Sequence, residues 1–328
     1  MRILYAIQGT GNGHLTRAMD IIPALQQHGE VEILVSGCQV DIPLPYPVRY
    51  RLNGLGFIFG KSGGIDFYRT FAKARTRSFY REMRQLPVNE YDLVITDFEP
   101  VSAWACMLAG KHCVGLSNQV AVLHKLVPKP KETDHFGAFI LRNYAPTTTQ
   151  YGFHFARFDD TVFTPIIRKQ VRELTVSNQG HYTVYLPAHD DQKIISRLGR
   201  FEGVEWQVFS KHNRQPFRHG NVSVQPIQNE AFLESMASSA GVLCAAGFGT
   251  PSEALYLQKK LMVVPMKSQY EQQCNAAALQ HMGVAMIKSL KKKHLPIIGQ
   301  WLEEGQPVHV NYPDETASLV QRIVSENT

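Results

Sequence analysis

Two groups of residues have the type and spacing to do chemistry. Gly247, Gly249 and Thr250 form a small turn with Glu253 just beyond it, and Gly11, Asn12 and Gly13 form a second one followed at once by His14. Glycines let the backbone approach a ligand closely. Free amides at a helix start carry about half a positive charge, so a diphosphate could rest on the first turn without a metal. Glu253 would stand in the first helical turn, where a carboxylate can accept two hydroxyl hydrogen bonds, as from a ribose. His14 would stand at the start of its own helix, and a neutral imidazole in such a place suits a general base. Each feature has a plainer account when taken alone. The glycines can simply make tight turns, Glu253 can favour its helix end, and His14 can cap a helix or bind a phosphate.

The elements that must position these residues can be read from the apolar pattern. Residues 242–245 are a short apolar run suited to a buried strand, and 251–258 begin like a helix, with proline in the first turn. Residues 261–265 read as a strand, and 270–282 as a helix stopped by Gly283. A glycine turn thus follows the carboxyl end of a strand, where open α/β sheets bind ligands. At the start of the chain, residues 2–7 predict a strand and Leu15, Ala18, Ile22 and Leu25 the apolar face of a helix. The glycines between them are spaced G-x-G-x-G, with His14 where a dinucleotide fingerprint needs its third glycine. The next strand, 31–35, ends in Ser36 and Gly37 without an acid for a ribose, which argues against NAD. Residues 91–96 predict a strand ending in Asp97, with Glu99 close behind, so Asp97 shares a sheet edge with His14. A helix-entry carboxylate is the competing explanation for Asp97. Residues 112–116 predict a further strand with Ser117, Asn118 and Gln119 as its exit loop.

The order of these motifs resembles the GT-B glycosyltransferases, in particular the UDP-glycosyltransferases and the N-acetylglucosaminyltransferase of peptidoglycan assembly. That family carries a Gly-x-x-(Ser/Thr)-x-x-Glu segment, matched by Gly247, Thr250 and Glu253. After the next strand it carries a proline and then (Asp/Glu/Gln)-Gln-x-x-Asn, matched by Pro265, Glu271, Gln272 and Asn275. The resemblance implies that Thr250 touches phosphate, Glu253 the ribose, and Glu271 with Gln272 the hydroxyls of the transferred sugar. It implies that His14 takes the acceptor proton and that Asp97, or Glu99 in its place, holds the histidine. Plant members place a histidine two residues before the first glycine, where this chain has Ala245, so that phosphate contact is missing or supplied elsewhere. Retaining members commonly place a glutamate at that same position, and Ala245 therefore favours inversion.

The implied fold is α/β of the GT-B kind, two Rossmann-like parallel-sheet domains facing a central cleft. An acceptor domain would span 1–163, a linker 164–180 and a donor domain 181–328, with the last helix packing back on the first domain. A chain of 328 residues, 44% apolar and 19% charged, suits two soluble domains. Five cysteines without a Cys-x-x-Cys pair suit buried thiols in a reducing compartment better than disulfides or zinc. The expected location is cytoplasmic, with peripheral contact at the inner face of the membrane left open. A net charge of +6 is compatible with an anionic membrane, a nucleic acid or anionic small molecules. No base-reading motif supports a nucleic acid. Residues 65–86 interleave Arg69, Lys73, Arg75, Arg77, Arg81 and Arg84 with Phe67, Phe71, Phe79 and Tyr80, and could grip an anionic acceptor or lie on anionic lipid. A solvated helix face with its aromatics inward explains them equally well. Residues 120–155 read as irregular, with one helix over 133–142.

Three functions follow in order. The first is a sugar transferase using a nucleotide-sugar, UDP-linked by resemblance, with no cofactor and no metal. A nucleotide-sugar epimerase or hydrolase of the same fold is the second, and a non-enzymatic nucleotide-sugar binder the third.

Overall fold

The computed structural model describes residues 1–10, 12–37, 44–55, 76–132 and 134–328. Gly11 and the 65–75 part of the basic and aromatic stretch lie outside the described residues. Two seven-stranded sheets organise the rest.

The first sheet holds β1 (Arg2–Gln8), β2 (Glu30–Ser36), β3 (Val48–Leu52), β4 (Leu93–Asp97), β5 (Val114–Ser117), β6 (Thr149–Phe153) and β7 (Val162–Phe163) in the order β3-β2-β1-β4-β5-β6-β7. Every pairing in it is parallel. Helix α1 (Asn12–Gln26) follows β1 and buries Leu15, Ala18, Ile21, Ile22 and Leu25. Among the described residues, the other α-helices of this half are α2 (Thr76–Gln85), α3 (Pro100–Ala109), α4 (Asn118–Leu123) and α5 (His135–Tyr144). The central strand β1 is apolar on both faces, with Ile3 to Ile7 fully buried, as a strand covered on two sides requires. Strand order reverses between β1 and β4, and Ile7 pairs with Asp97 there. The exits of β1 and β4 therefore open side by side, at the switch point where such sheets bind ligands.

After a short helix α6 (Lys169–Arg172), the second sheet begins at β8 (Tyr182–Tyr185). It adds β9 (Trp206–Ser210), β10 (Phe217–His219), β11 (Val222–Pro226), β12 (Gly241–Ala245), β13 (Lys260–Val264) and β14 (Ala285–Met286), ordered β10-β11-β9-β8-β12-β13-β14. Only the β10 edge is antiparallel. Its helices are α7 (Asp191–Leu198), α8 (Asn229–Ser238), α9 (Gly249–Tyr256), α10 (Tyr270–His281) and α11 (Leu295–Glu304). The switch point here lies between β8 and β12, where Cys244 pairs with Tyr185, and the Gly247 turn leaves from it.

A last helix, α12 (Thr316–Asn327), returns to the first half of the chain. Its Glu326 accepts from Tyr151 at 2.6 Å, Asn327 meets His112 at 2.9 Å, and Arg322 donates to the Asp160 carbonyl at 2.7 Å. Leu319, Val320, Ile323 and Val324 complete a core cluster that also contains Ile3, Leu15 and Ile21 from the first half and Phe209, Phe232 and Leu255 from the second.

The stretch 120–155, read as irregular around one helix, contains that helix as α5 and, besides it, the end of α4 and all of β6. Strand β6 is only five residues and is buried on its last three positions, too short for an alternating pattern to stand out. Among the described residues, no helix is long and apolar enough to cross a membrane.

Candidate active site

His14 and Asp97 are brought together as the β1–β4 register demands. His14 Nδ1 lies 2.8 Å from Asp97 Oδ1, with the Asp97 side chain fully buried. Arg17, one helical turn beyond His14, donates to both Asp97 oxygens, at 2.7 Å and 2.6 Å. Burial would raise the proton affinity of Asp97, but the Arg17 and His14 charges and hydrogen bonds outweigh it and hold the carboxyl below its usual range. A carboxylate can only accept, so the shared proton is assigned to Nδ1 of His14, and in the neutral imidazole the lone pair is then the one on Nε2. Arg17 also lies 3.3 Å from Nδ1. It has no lone pair to offer there, and its hydrogen bonds go to Asp97.

Glu99 has a different task. Its carboxylate accepts from the amides of Val101 and Ser102 at 2.7 Å and 2.6 Å, capping α3, and from Ser36 at 2.6 Å. Burial raises its proton affinity, and these donors oppose that rise. Phe98, between the two acids, has φ 56°, a left-handed conformation that costs a non-glycine residue about 1–3 kcal/mol. This reversal of the chain sends Asp97 to one side of the backbone and Glu99 to the other. The Phe98 ring is held against Tyr144 at 4.8 Å between centroids.

On the second sheet, α9 starts at Gly249, directly after Phe248, and no side chain caps its first amides. Thr250 is partly exposed in its first turn. Among the described residues, a Cβ built on Gly247, Gly249 or Gly13 would meet nothing within 4 Å. Asn12 begins α1, and among the described residues its side-chain oxygen is buried without a hydrogen-bond partner.

Glu253 is 7% exposed, and both its oxygens accept from Arg168, Oε1 from Nε at 2.5 Å and Oε2 from a terminal nitrogen at 2.9 Å. Asn275 is fully buried and ties α10 to the glycine turn by donating to the Ala246 carbonyl at 3.2 Å. The Gln272 side chain turns back on its own loop, accepting from the Met266 amide at 3.0 Å. Gln272 and Asn275 thus shape the loops around the glycine turn, and Gln272 would need a new rotamer to meet a ligand there.

Glu271 reaches the opposite domain. It accepts from Gln119 Nε2 at 3.0 Å, and that same nitrogen lies 3.5 Å from His14 Nε2. Burial raises the Glu271 pKa, partly offset by the nearby His14 and the Gln119 hydrogen bond. The candidate base, its carboxylate partner and a carboxylate from the second half of the chain therefore converge in one crevice between the two sheets. Sequence reasoning left three members of this arrangement without a role. Arg17 stands at i+3 from His14, a spacing that puts both on one helix face and could have been noticed. Gln119, on α4, was read only as exit loop. Arg168 stood unremarked in a charged linker run, with nothing local to mark it.

Two doubly wound sheets that oppose their carboxyl edges across a crevice define the GT-B class of glycosyltransferase, and the chain has that fold. The profile of glycosyl transferase family 1 matches residues 1–304, and the chain belongs to that family. No curated protein matches it in sequence. Among solved structures it is similar to the spinosyn forosaminyltransferase SpnP, with TM-score 0.56 and 15% identity over 100% of this chain and 95% of that one. MurG of Acinetobacter baumannii gives 0.56 and 14% over 99% of each. The co-structure of S. aureus MnaA with UDP gives 0.61 and 10% over 99% and 96%. Identities this low carry the fold. The activity class, a glycosyltransferase, rests on the family match.

Proposed function

We propose that this glycosyltransferase moves a sugar from a UDP-sugar to a hydroxyl of a glycan or lipid acceptor, with inversion and without a metal. The observation that carries this reading is the convergence of His14, held by Asp97 at 2.8 Å, with Glu271 of the opposite domain through Gln119. UDP is the nucleotide in the MnaA co-structure, and MnaA shares this fold. In the reaction the acceptor oxygen attacks the anomeric carbon as the carbon–phosphate oxygen bond breaks, and the hydroxyl proton passes to His14 Nε2. The leaving diphosphate rests on the uncapped amides of α9 and on Thr250, with Glu253 at the ribose and Glu271 at the sugar hydroxyls. Asn12 and Gly13 line the acceptor side of the base.

The acceptor is expected to be anionic or to lie at an anionic membrane on the cytoplasmic face. Arg77, Tyr80, Arg81 and Arg84 are all exposed on α2, and their spacing aligns them on one helix face. Phe79 and Met83 turn inward to the core.

The test is His14→Ala. Transfer should fall by about 10² to 10⁴, while UDP still raises the melting temperature as in the wild type. Unchanged turnover removes His14 as the base, and loss of wild-type turnover in EDTA removes the metal-free mechanism.

A further inference from the structure

Arg168 belongs to the segment that joins the two sheets, yet every nitrogen of its guanidinium is committed to the donor half. Nε and one terminal nitrogen bind the two oxygens of Glu253, and the other terminal nitrogen donates to Asn229 Oδ1 at 2.8 Å. The two side chains are only 12% and 9% exposed. The next residue is fixed as well, since the Lys169 amide donates to Asp20 on α1, the helix that begins beside His14. A bidentate arginine fixes a carboxylate in both direction and rotation. It also uses one lone pair on each oxygen and leaves one on each, side by side, in a fixed plane. Two vicinal hydroxyls present donors with that same paired spacing.

We propose that Arg168 is a positioning residue for nucleotide recognition: it holds the Glu253 carboxylate in the one orientation that reads the paired hydroxyls of a ribose. This rests on the ribose role proposed for Glu253, and extends it to a residue outside the glycine turn. The effect is specific to hydroxyl recognition, because a merely structural ion pair would weaken every nucleotide alike when broken.

The discriminating measurement is the ratio of dissociation constants for 2′,3′-dideoxy-UDP and UDP, by calorimetry on the full chain. In the wild type the ratio should be at least about tenfold, since both hydroxyl hydrogen bonds end on a charged acceptor. Glu253→Gln should bring it close to one. Arg168→Lys keeps the charge but loses the fork, and Asn229→Ala keeps the arginine but frees its third contact. In Arg168→Lys the ratio should fall to less than about threefold, and in Asn229→Ala to an intermediate value, with near-ultraviolet circular dichroism unchanged. The proposal is overturned if both variants keep the wild-type ratio, or if UDP and its dideoxy analogue weaken by the same factor in both. A wild-type ratio near one, unaltered in Glu253→Gln, would instead remove the ribose role beneath it. Retention of discrimination in Arg168→Lys with its loss in Glu253→Gln would leave Glu253 standing and remove Arg168 alone.

Discussion

At the scale of single residues, His14 and Asp97 share a hydrogen bond but differ in what their loss should do. Asp97 also neutralises Arg17, itself 7% exposed, so Asp97→Ala leaves a cation buried without a partner. The expected cost is about 3–5 kcal/mol of stability by urea unfolding. His14→Ala leaves the Arg17–Asp97 pair intact and should cost no more than about 1–2 kcal/mol. The pH dependence has a defined sign. Asp97 binds protons less tightly when folded, so its stabilisation is fully present above its unfolded pKa of about 3.9 and is lost as pH falls through the lower folded value. Glu99, raised on folding, works in the opposite sense over the same acid range and partly hides this limb. The difference between wild type and Asp97→Asn, measured at pH 7 and again at pH 3, isolates it. That difference should shrink at the lower pH, and a constant difference would show that Asp97 is not held as an anion.

At the scale of elements, the glycine turn before α9 offers a test that separates a binding surface from a mere bend. A methyl group on Gly249 meets no neighbour in the protein, and Gly249 is the first residue of a helix. Gly249→Ala should therefore leave stability unchanged or raise it by up to about 1 kcal/mol. UDP should bind at least about tenfold more weakly, a loss of about 1.4 kcal/mol, because the methyl would occupy the space proposed for the diphosphate. Undiminished binding would move the phosphates away from this turn. Strand, turn and helix units of this kind were legible because each carries its information locally: an apolar run, then glycines, then a helix face. Asp97 was legible for the same reason, as the last residue of an apolar strand. The contacts of Gln119 with Glu271 and of Arg168 with Glu253 were not, since they join residues far apart in the chain through a crevice that exists only after folding. Local signals also misplaced helix ends, starting α9 at Pro251, where the structure starts it at Gly249. Proline marks a first turn without fixing which of its residues comes first.

At the scale of the whole molecule, the two sheets share one core cluster, closed by α12. Ile323 is fully buried in it, so Ile323→Ala should cost about 2–5 kcal/mol. Because the cluster draws on both sheets, calorimetry should show the loss as a lower midpoint of one shared transition. Two separated transitions would indicate halves that unfold independently. The crevice itself is bridged by the Gln119–Glu271 hydrogen bond and by Tyr270 and Cys274, which are clustered with Val122. These contacts set how far the halves stand apart at the base.

The return of α12 onto the first sheet also bears on how the protein is made. The nascent amino-terminal half leaves the ribosome with the surface between α1 and β6 uncovered, and the helix that covers it is synthesised only after the entire second sheet. Until then that half has an exposed apolar flank, and a chaperone that shields it during translation would serve this fold better than one that acts after release.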